Sequence, residues 1–136
     1  MTLYEVTKMI EKIADAQPNI NSIVKSGDIY DLNKNEFEQN YSAFCLTQRN
    51  HTFEGDFATY NFVMYYVDRL TLDEENKLDI QSSGCNVLIK IINDIEKTGL
   101  VSITYGDITT FTTRFTSTCA GAYIYLGVTV PIDQCY

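Results

Sequence analysis

The chain has 136 residues, of which 45% are hydrophobic, and its 18 acidic and 10 basic residues give a net charge of −8. The apolar content excludes a disordered chain, and the length predicts a single domain spanning residues 1–136. The acidic balance argues against direct binding to duplex DNA, because phosphate contacts require lysine and arginine. No run of about 18 apolar residues is present to predict a membrane span.

The first predicted element is a helix over residues 3–16. Thr2 and Glu5 have the spacing of a capping box at its start, and apolar residues then recur at helical spacing. Pro18 ends the helix, because the residue before a proline avoids the helical region. Residues 19–40 carry turn signals and little regular pattern, so we predict a connecting loop or an arm there, in which residues 22–25 form either a short strand or the end of a turn.

A hairpin is predicted next, with strands at 41–47 and 57–70. Apolar residues occupy both faces of the second strand: Ala58, Tyr60, Phe62, Met64 and Tyr66 alternate with Phe57, Val63, Tyr65 and Val67. Such a strand is buried on both sides. We expect the protein's own helices to cover one face, and either a further helix or a neighbouring subunit to cover the other.

The second predicted helix spans residues 78–97. Its apolar stripe consists of Cys85, Leu88, Ile89, Ile92 and Ile95, and Val87 and Ile91 widen it. Gly99 stands where a C-terminal cap belongs. Three strands follow at 100–105, 108–115 and 122–130, the last with strict alternation. The predicted fold class is therefore α+β, a mostly antiparallel sheet with two main helices.

No recognisable catalytic motif appears. We expect His51 to be a solvated side chain in a polar turn, the four cysteines to be reduced thiols, and Asp73–Glu75 to lack the ligand spacing of a calcium loop. The sequence predicts no catalytic residue, cofactor or metal, and so no enzyme. A hydrolase or nuclease that uses Asp68 with Asp73 or Glu74 is left as an alternative, because a missing motif is weak evidence.

Residues 41–135 resemble small neck and tail proteins of crAss-like phages and Bacteroides prophages. The resemblance lies in the run 63–70, the acidic loop 73–76, the segment 80–84 that enters an apolar helix, and the ending 121–131 with a following Cys135. The order helix, hairpin, helix, strands is similar to tail terminators and head–tail connectors. The resemblance therefore also implies a tail-terminator-like version of the α+β fold.

The resemblance implies a non-enzymatic structural protein of the virion, made in the host cytoplasm and assembled as a homo-oligomeric ring in the neck or tail. Adjacent neck, portal or tail ring proteins would be its partners, and DNA would pass through the lumen without sequence-specific binding. No membrane partner is expected. The alternative is a monomeric intracellular α+β binding module that recognises a peptide or a small ligand through its exposed aromatic residues.

For a ring, we expect the subunit interface to use the aromatic hairpin strand and the threonine-rich strand at 108–115. The residues predicted at this interface are Tyr60, Phe62, Tyr65, Tyr66, Phe111 and Phe115. Tyrosine suits such a contact, because its ring packs against the partner while its hydroxyl stays at the wet rim.

Overall fold

A computed structural model describes residues 1–33, 41–114 and 118–132 of the chain. It confirms the α+β prediction: two helices accompany one mostly antiparallel sheet of seven strands. In chain order the elements are helix α1 (Leu3–Asp15), strand β1 (Ser22–Ile23), a short 3₁₀ helix (Ile29–Asn33), strands β2 (Ala43–Gln48), β3 (Thr52–Glu54) and β4 (Phe57–Arg69), helix α2 (Lys77–Lys97), and strands β5 (Ser102–Tyr105), β6 (Thr109–Arg114) and β7 (Thr118–Pro131).

The sheet is built around the two long strands β4 and β7. They pair antiparallel along their length, from Phe57 opposite Pro131 to Arg69 opposite Cys119. β2 and then β3 run along the free side of β4, while β5 and β6 run along the free side of β7. Only β1 pairs in parallel, at the β2 edge. The order across the sheet is β1-β2-β4-β7-β5.

Both flanking strands are interrupted by a bulge. Residues 49–51 separate β2 from β3 but lie opposite only residues 60–61 of β4. Residues 106–108 separate β5 from β6 and lie opposite only residues 124–125 of β7. One extra residue in the outer strand bends and twists the sheet at each place.

Both helices lie on one face of the sheet, which we call the helix face. The predicted capping box of α1 is confirmed: the Glu5 N–H donates to Thr2 Oγ1 at 3.1 Å, and the Thr2 N–H donates to Glu5 Oε1 at 3.0 Å. α2 approaches the sheet closely at Gly84, where an added Cβ would lie 2.9 Å from the Tyr66 ring and 3.2 Å from Ala122 Cβ. A side chain at this position would push the helix off the sheet.

The main core lies between the helices and this face. The alternation predicted in the strands is confirmed, because the even-numbered residues of β4 and β7 point into the core: Ala58, Tyr60, Phe62, Met64, Tyr66, Ala120, Ala122, Ile124, Leu126, Val128 and Val130. The apolar stripe predicted for α2 needs one correction. Val87 and Ile91, which are predicted to widen the stripe, are buried with Leu88 and Ile95, whereas Ile89 is 47% exposed. The helix therefore turns the side that carries Val87 and Ile91 toward the sheet.

The opposite face, which we call the outer face, carries a second, smaller core. Val24, Ile29 and Leu32 come from the segment predicted as a loop or arm, and they pack on Ala43, Cys45, Val67 and Cys119 of the sheet. The described part of that segment, residues 19–33, therefore lies against the protein's own sheet; residues 34–40 lie outside the described residues. The chain itself thus supplies a partial second cover for β2 and β4.

Candidate functional site

Four aromatic side chains form a continuous strip on the outer face, beyond the part that residues 24–32 cover. We define the aromatic strip as Tyr65 of β4, Tyr123 and Tyr125 of β7, and Phe111 of β6. The Tyr65 ring centre lies 5.7 Å from that of Tyr123 and 6.3 Å from that of Phe111, and Tyr123 lies 5.9 Å from Tyr125. These distances suit tilted and edge-to-face contacts between aromatic rings. The strip is partly exposed, and Tyr125 is 45% accessible.

The bulge between β2 and β3 adds a cation to one end of the strip. The Arg49 guanidinium lies 4.3 Å from the Tyr125 ring centre, within the range of a cation–π contact. Its backbone is fixed, because the Arg49 N–H donates to the Asn61 carbonyl at 2.8 Å and Asn61 Nδ2 donates to the Asn50 carbonyl at 2.7 Å. Arg49 is thus presented on an ordered bulge.

A short polar row continues the surface beyond Tyr125. Gly127 of β7 pairs with Asn61 on one side and Thr104 on the other. A Cβ at Gly127 would lie 2.8 Å from Thr104 Oγ1 and 3.1 Å from Asn61 Oδ1. Because glycine has no side chain, these two polar side chains meet above it, and together with Arg49 they border a shallow depression of about 180 Å³.

The middle of the outer face carries less charge than the chain as a whole. The outward residues of β4 from Thr59 to Val67, and of β7 from Cys119 to Thr129, include no charged side chain. Burial raises the pKa of the Tyr65 hydroxyl above its ordinary value, with smaller contributions from Cys45 and neighbouring tyrosines. The phenol therefore keeps its proton, and its ability to donate a hydrogen bond, to a higher pH than an ordinary tyrosine does.

The structure divides the six residues predicted at a subunit interface between two faces. Tyr60, Phe62 and Tyr66 are buried in the main core on the helix face, so they offer no area to a neighbour. Tyr65 and Phe111 lie in the aromatic strip. Phe115 lies outside the described residues. The cause is the two-residue period of a strand, which sends Tyr65 and Tyr66 to opposite faces.

Sequence reasoning missed Tyr123, Tyr125 and Arg49. The alternation of the last strand did place both tyrosines on the side away from the apolar residues, and that signal was available. The alternation does not give the pairing register, which sets Tyr123 opposite Tyr65. Arg49 reaches the strip only because of the bulge, which no local pattern marks.

His51 differs from its predicted solvated state. It is partly buried, its ring stands edge-on to Tyr60 at 5.5 Å, and its Nδ1 accepts from the Asn61 N–H at 3.2 Å. Nε2 then carries the proton and donates to Gln48 Oε1 at 3.2 Å. At the bulge, the imidazole accepts the hydrogen bond that a backbone carbonyl of a paired strand would otherwise accept from Asn61. His51 therefore has a structural role.

The acidic loop also shows local structural roles. Asp73 accepts from Thr71 Oγ1 at 2.6 Å and from the Glu75 N–H, and the first of these bonds is the main reason that the pKa of Asp73 is lowered. Within the described residues, no group of three or more His, Cys, Asp or Glu side chains could hold a metal ion. Neither described helix has the length and apolar composition that crossing a membrane requires.

No protein-family model matches the sequence, and no curated protein is significantly similar to it. The aromatic strip, its arginine and its lack of other charge are therefore the features on which a functional argument rests.

Proposed function

We propose that the chain is a structural subunit of a homo-oligomeric ring in the neck or tail of a tailed phage, in a connector or tail-terminator role around the DNA channel. The resemblance described above supplies the biological setting. The aromatic strip on the outer face is the single observation that carries the proposal, because the described residues leave this contact surface partly exposed.

The composition of the strip supports a protein contact. Tyrosine, phenylalanine and arginine are the residues enriched at protein interfaces, whereas lysine and acidic residues are depleted there. The strip contains tyrosine and phenylalanine, Arg49 adjoins it, and its strands present no acidic side chain on the outer face. In a chain of net charge −8, an uncharged surface is also where two copies meet with the least repulsion.

A ring built from one kind of subunit joins two different patches of neighbouring copies. We place Tyr65, Phe111, Tyr123 and Tyr125 in one of these patches, in place of the buried Tyr60, Phe62 and Tyr66. Acidic residues outside this contact would leave the lumen net negative, so that DNA slides through without adhering. Adjacent neck, portal or tail ring proteins are the further partners of the proposal, and the virion is its location.

Native mass spectrometry and negative-stain electron microscopy of the purified protein test the proposal. We expect closed rings of uniform size at high protein concentration. Tyr123→Arg should abolish them, because it places a second positive charge beside Arg49 in the contact. Tyr4→Arg is the matched control, since Tyr4 is an exposed tyrosine of α1 on the helix face, and rings of that variant should persist.

Three results would contradict the proposal. The first is a wild-type protein that forms nothing larger than a dimer at every soluble concentration. The second is a set of rings that Tyr123→Arg leaves intact. The third is tight, salt-sensitive binding of the purified protein to duplex DNA, since that requires several phosphate contacts. The positions of portal, capsid and tail genes relative to its own gene provide an independent check.

A specific observation favours a second candidate, a monomeric module that binds a peptide or small ligand. A groove of about 540 Å³ lies between α1 and the segment 25–28 beside β2, with Leu3, Tyr4 and Leu46 among its lining residues. Thr7 Oγ1 is buried there without a hydrogen-bond partner among the described residues. A fragment screen by NMR tests this candidate, which predicts shifts clustered at the groove and none at the aromatic strip.

A further inference from the structure

The β5 side of the sheet ends in a free edge. β5 is the last strand in the order, and no described strand pairs with its other side. The Gly106 N–H donates to the Tyr125 carbonyl at 3.2 Å, which continues the β5–β7 ladder. Hydrogen-bonded pairs alternate along an antiparallel ladder. Thr104 therefore bonds toward β7, while Ile103 and Tyr105 direct their N–H and C=O groups outward.

This edge lacks the charged residues and prolines that commonly prevent pairing with another chain, although its strand is short and ends at a bulge. Edge strands are commonly protected by lysine, proline or inward-pointing charge. Between Gly99 and Thr113 the only charged residue is Asp107, and proline is absent from that stretch. The bulge at 106–108 interrupts the edge, which confines a straight pairing partner to the four residues of β5.

Exposed apolar side chains surround the same edge. Tyr105 is 58% exposed, and Leu100 and Ile89 are also largely accessible. Tyr105 and Ile89 both line a groove of about 350 Å³ between α2 and the bulge, whose other lining residues include Ile92, Ile108 and Ile124. An added strand would thus gain backbone hydrogen bonds from the edge and apolar contact from the groove.

We propose that the β5 edge pairs antiparallel with the β5 edge of a second copy of this chain. The register sets Thr104 opposite Thr104 of the second copy, and Ile103 opposite Tyr105 of the second copy. In this register the outward N–H and C=O groups of Ile103 and Tyr105 form four hydrogen bonds from within the four strand residues. If the pairing were shifted by two residues in either direction, residues outside β5 would be needed to form four hydrogen bonds.

A second copy fits this edge because the edge is complementary to itself. The register pairs Ile103 with tyrosine on the helix face and threonine with threonine on the outer face, and both are favourable cross-strand pairs. It brings Ile103 of the second copy next to Tyr105, at the mouth of the groove. Asp107 falls opposite Val101 of the second copy, so like charges do not face each other.

Site-directed cross-linking tests the register. In a background with Cys85 and Cys135 replaced by serine, Thr104→Cys should form a disulfide-linked dimer under mild oxidation, because a non-hydrogen-bonded pair sets its Cα atoms about 4.5 Å apart. Ile103→Cys is the matched control. It should cross-link at least about tenfold more slowly, since the two Ile103 positions are diagonal and about 8 Å apart in this register.

A proline scan tests the edge itself. Tyr105→Pro removes an outward N–H and spares the bonds to β7, and proline is tolerated at such edge positions. In the Tyr123→Arg background, which removes the proposed ring contact, we expect a concentration-dependent dimer in analytical ultracentrifugation. Adding Tyr105→Pro should abolish this dimer and leave the circular dichroism spectrum unchanged. If that variant does not fold, the cross-linking rates decide alone.

Equal cross-linking of the two cysteine variants, or none, overturns the proposal. So does a dimer of the Tyr123→Arg protein that the added Tyr105→Pro leaves intact. The outcome is independent of the ring proposed above, because the ring uses the aromatic strip and its diagnostic variant is Tyr123→Arg. Denaturing gels count cross-linked pairs whether or not rings are present.

Discussion

The two faces of the one sheet show how differently the same kinds of residue can be used. On the helix face, α1 and α2 bury Phe62, Tyr66 and Leu126 almost completely. On the outer face, residues 24–32 cover the β2 end, and among the described residues the aromatic strip beyond them is partly exposed. Tyrosine occurs on both faces, so composition alone does not distinguish a core residue from a contact residue. The distinction depends on which elements cover each face.

This contrast implies that substitutions on the helix face change the stability of the fold, whereas those in the aromatic strip mainly change association. Adjacent residues of β4 and β7 provide matched pairs for testing it, because each strand alternates between the two faces.

The largest effect is expected at Leu126, compared with its neighbour Tyr125. Leu126→Asp buries a carboxylate with no partner and should lower the free energy of unfolding by at least about 3 kcal/mol, enough to unfold most of the protein. Tyr125→Asp faces outward at a partly exposed site and should cost at most about 1 kcal/mol. Urea unfolding followed by circular dichroism measures both. Similar losses in the two variants would break the distinction between the faces.

The sequence was sufficient to predict the elements whose pattern is local. The capping box of Thr2 and Glu5, the alternation in β4 and β7 and the ends of both helices all depend on residues within a few positions of one another. The extra strand β3, the bulges and the docking of residues 24–32 depend on pairing between distant segments. For the same reason the sequence predicts Tyr65 in a contact but does not predict Tyr123: the pairing that sets Tyr123 opposite Tyr65 joins distant segments.

A second comparison sets Gly121, under the aromatic strip, against Gly106 in the bulge. A Cβ at Gly121 would overlap the Tyr66 carbonyl oxygen and lie 3.0 Å from Phe111 Cζ, whereas nothing lies within 4 Å of one at Gly106. Backbone cannot yield as a side-chain tip can, so Gly121→Ala should cost about 1–3 kcal/mol. Gly106→Ala should be nearly neutral. Thermal unfolding of both variants checks this, and a stable Gly121→Ala protein would mean that β4 and β7 are less closely held there.

Alkaline pH tests whether the covered end of the outer face is a true core. Burial is the main cause that raises the pKa of the Cys45 thiol from 9.0 to about 12. Between these values the unfolded chain has lost the thiol proton and the folded chain has kept it, so the free energy of unfolding falls as pH rises. The loss between pH 8 and pH 10 should be about 1 kcal/mol.

Cys45→Ala should remove that part of the pH dependence while lowering stability at neutral pH. Val67→Ala is the control, because Val67 is buried in the same cluster and does not titrate; its stability should decline with pH as the wild type's does. Identical slopes for the wild type and Cys45→Ala would mean that water reaches Cys45 in the folded protein, and that residues 24–32 do not seal this end of the sheet.

The smallest effect concerns Arg49 and Tyr125, where the outer face meets the solvent. The guanidinium lies 4.3 Å from the ring centre, and an exposed cation–π contact contributes about 0.5–1 kcal/mol. A double-mutant cycle of Arg49→Ala and Tyr125→Leu should return a coupling energy of that size in urea unfolding of the monomer. Arg49→Lys should retain part of it, because an ammonium is also attracted to the ring but lacks the planar guanidinium.

The same cycle measured on assembly separates a stability contact from an interface contact. If the strip is a subunit contact, Arg49→Ala should weaken association by more than it weakens the fold, because Arg49 then loses its contact with the neighbouring copy as well. A coupling energy that is equal in both measurements would assign the pair to the monomer alone. In that case the proposed subunit contact would depend on Tyr65, Phe111 and Tyr123 and not on Arg49 and Tyr125.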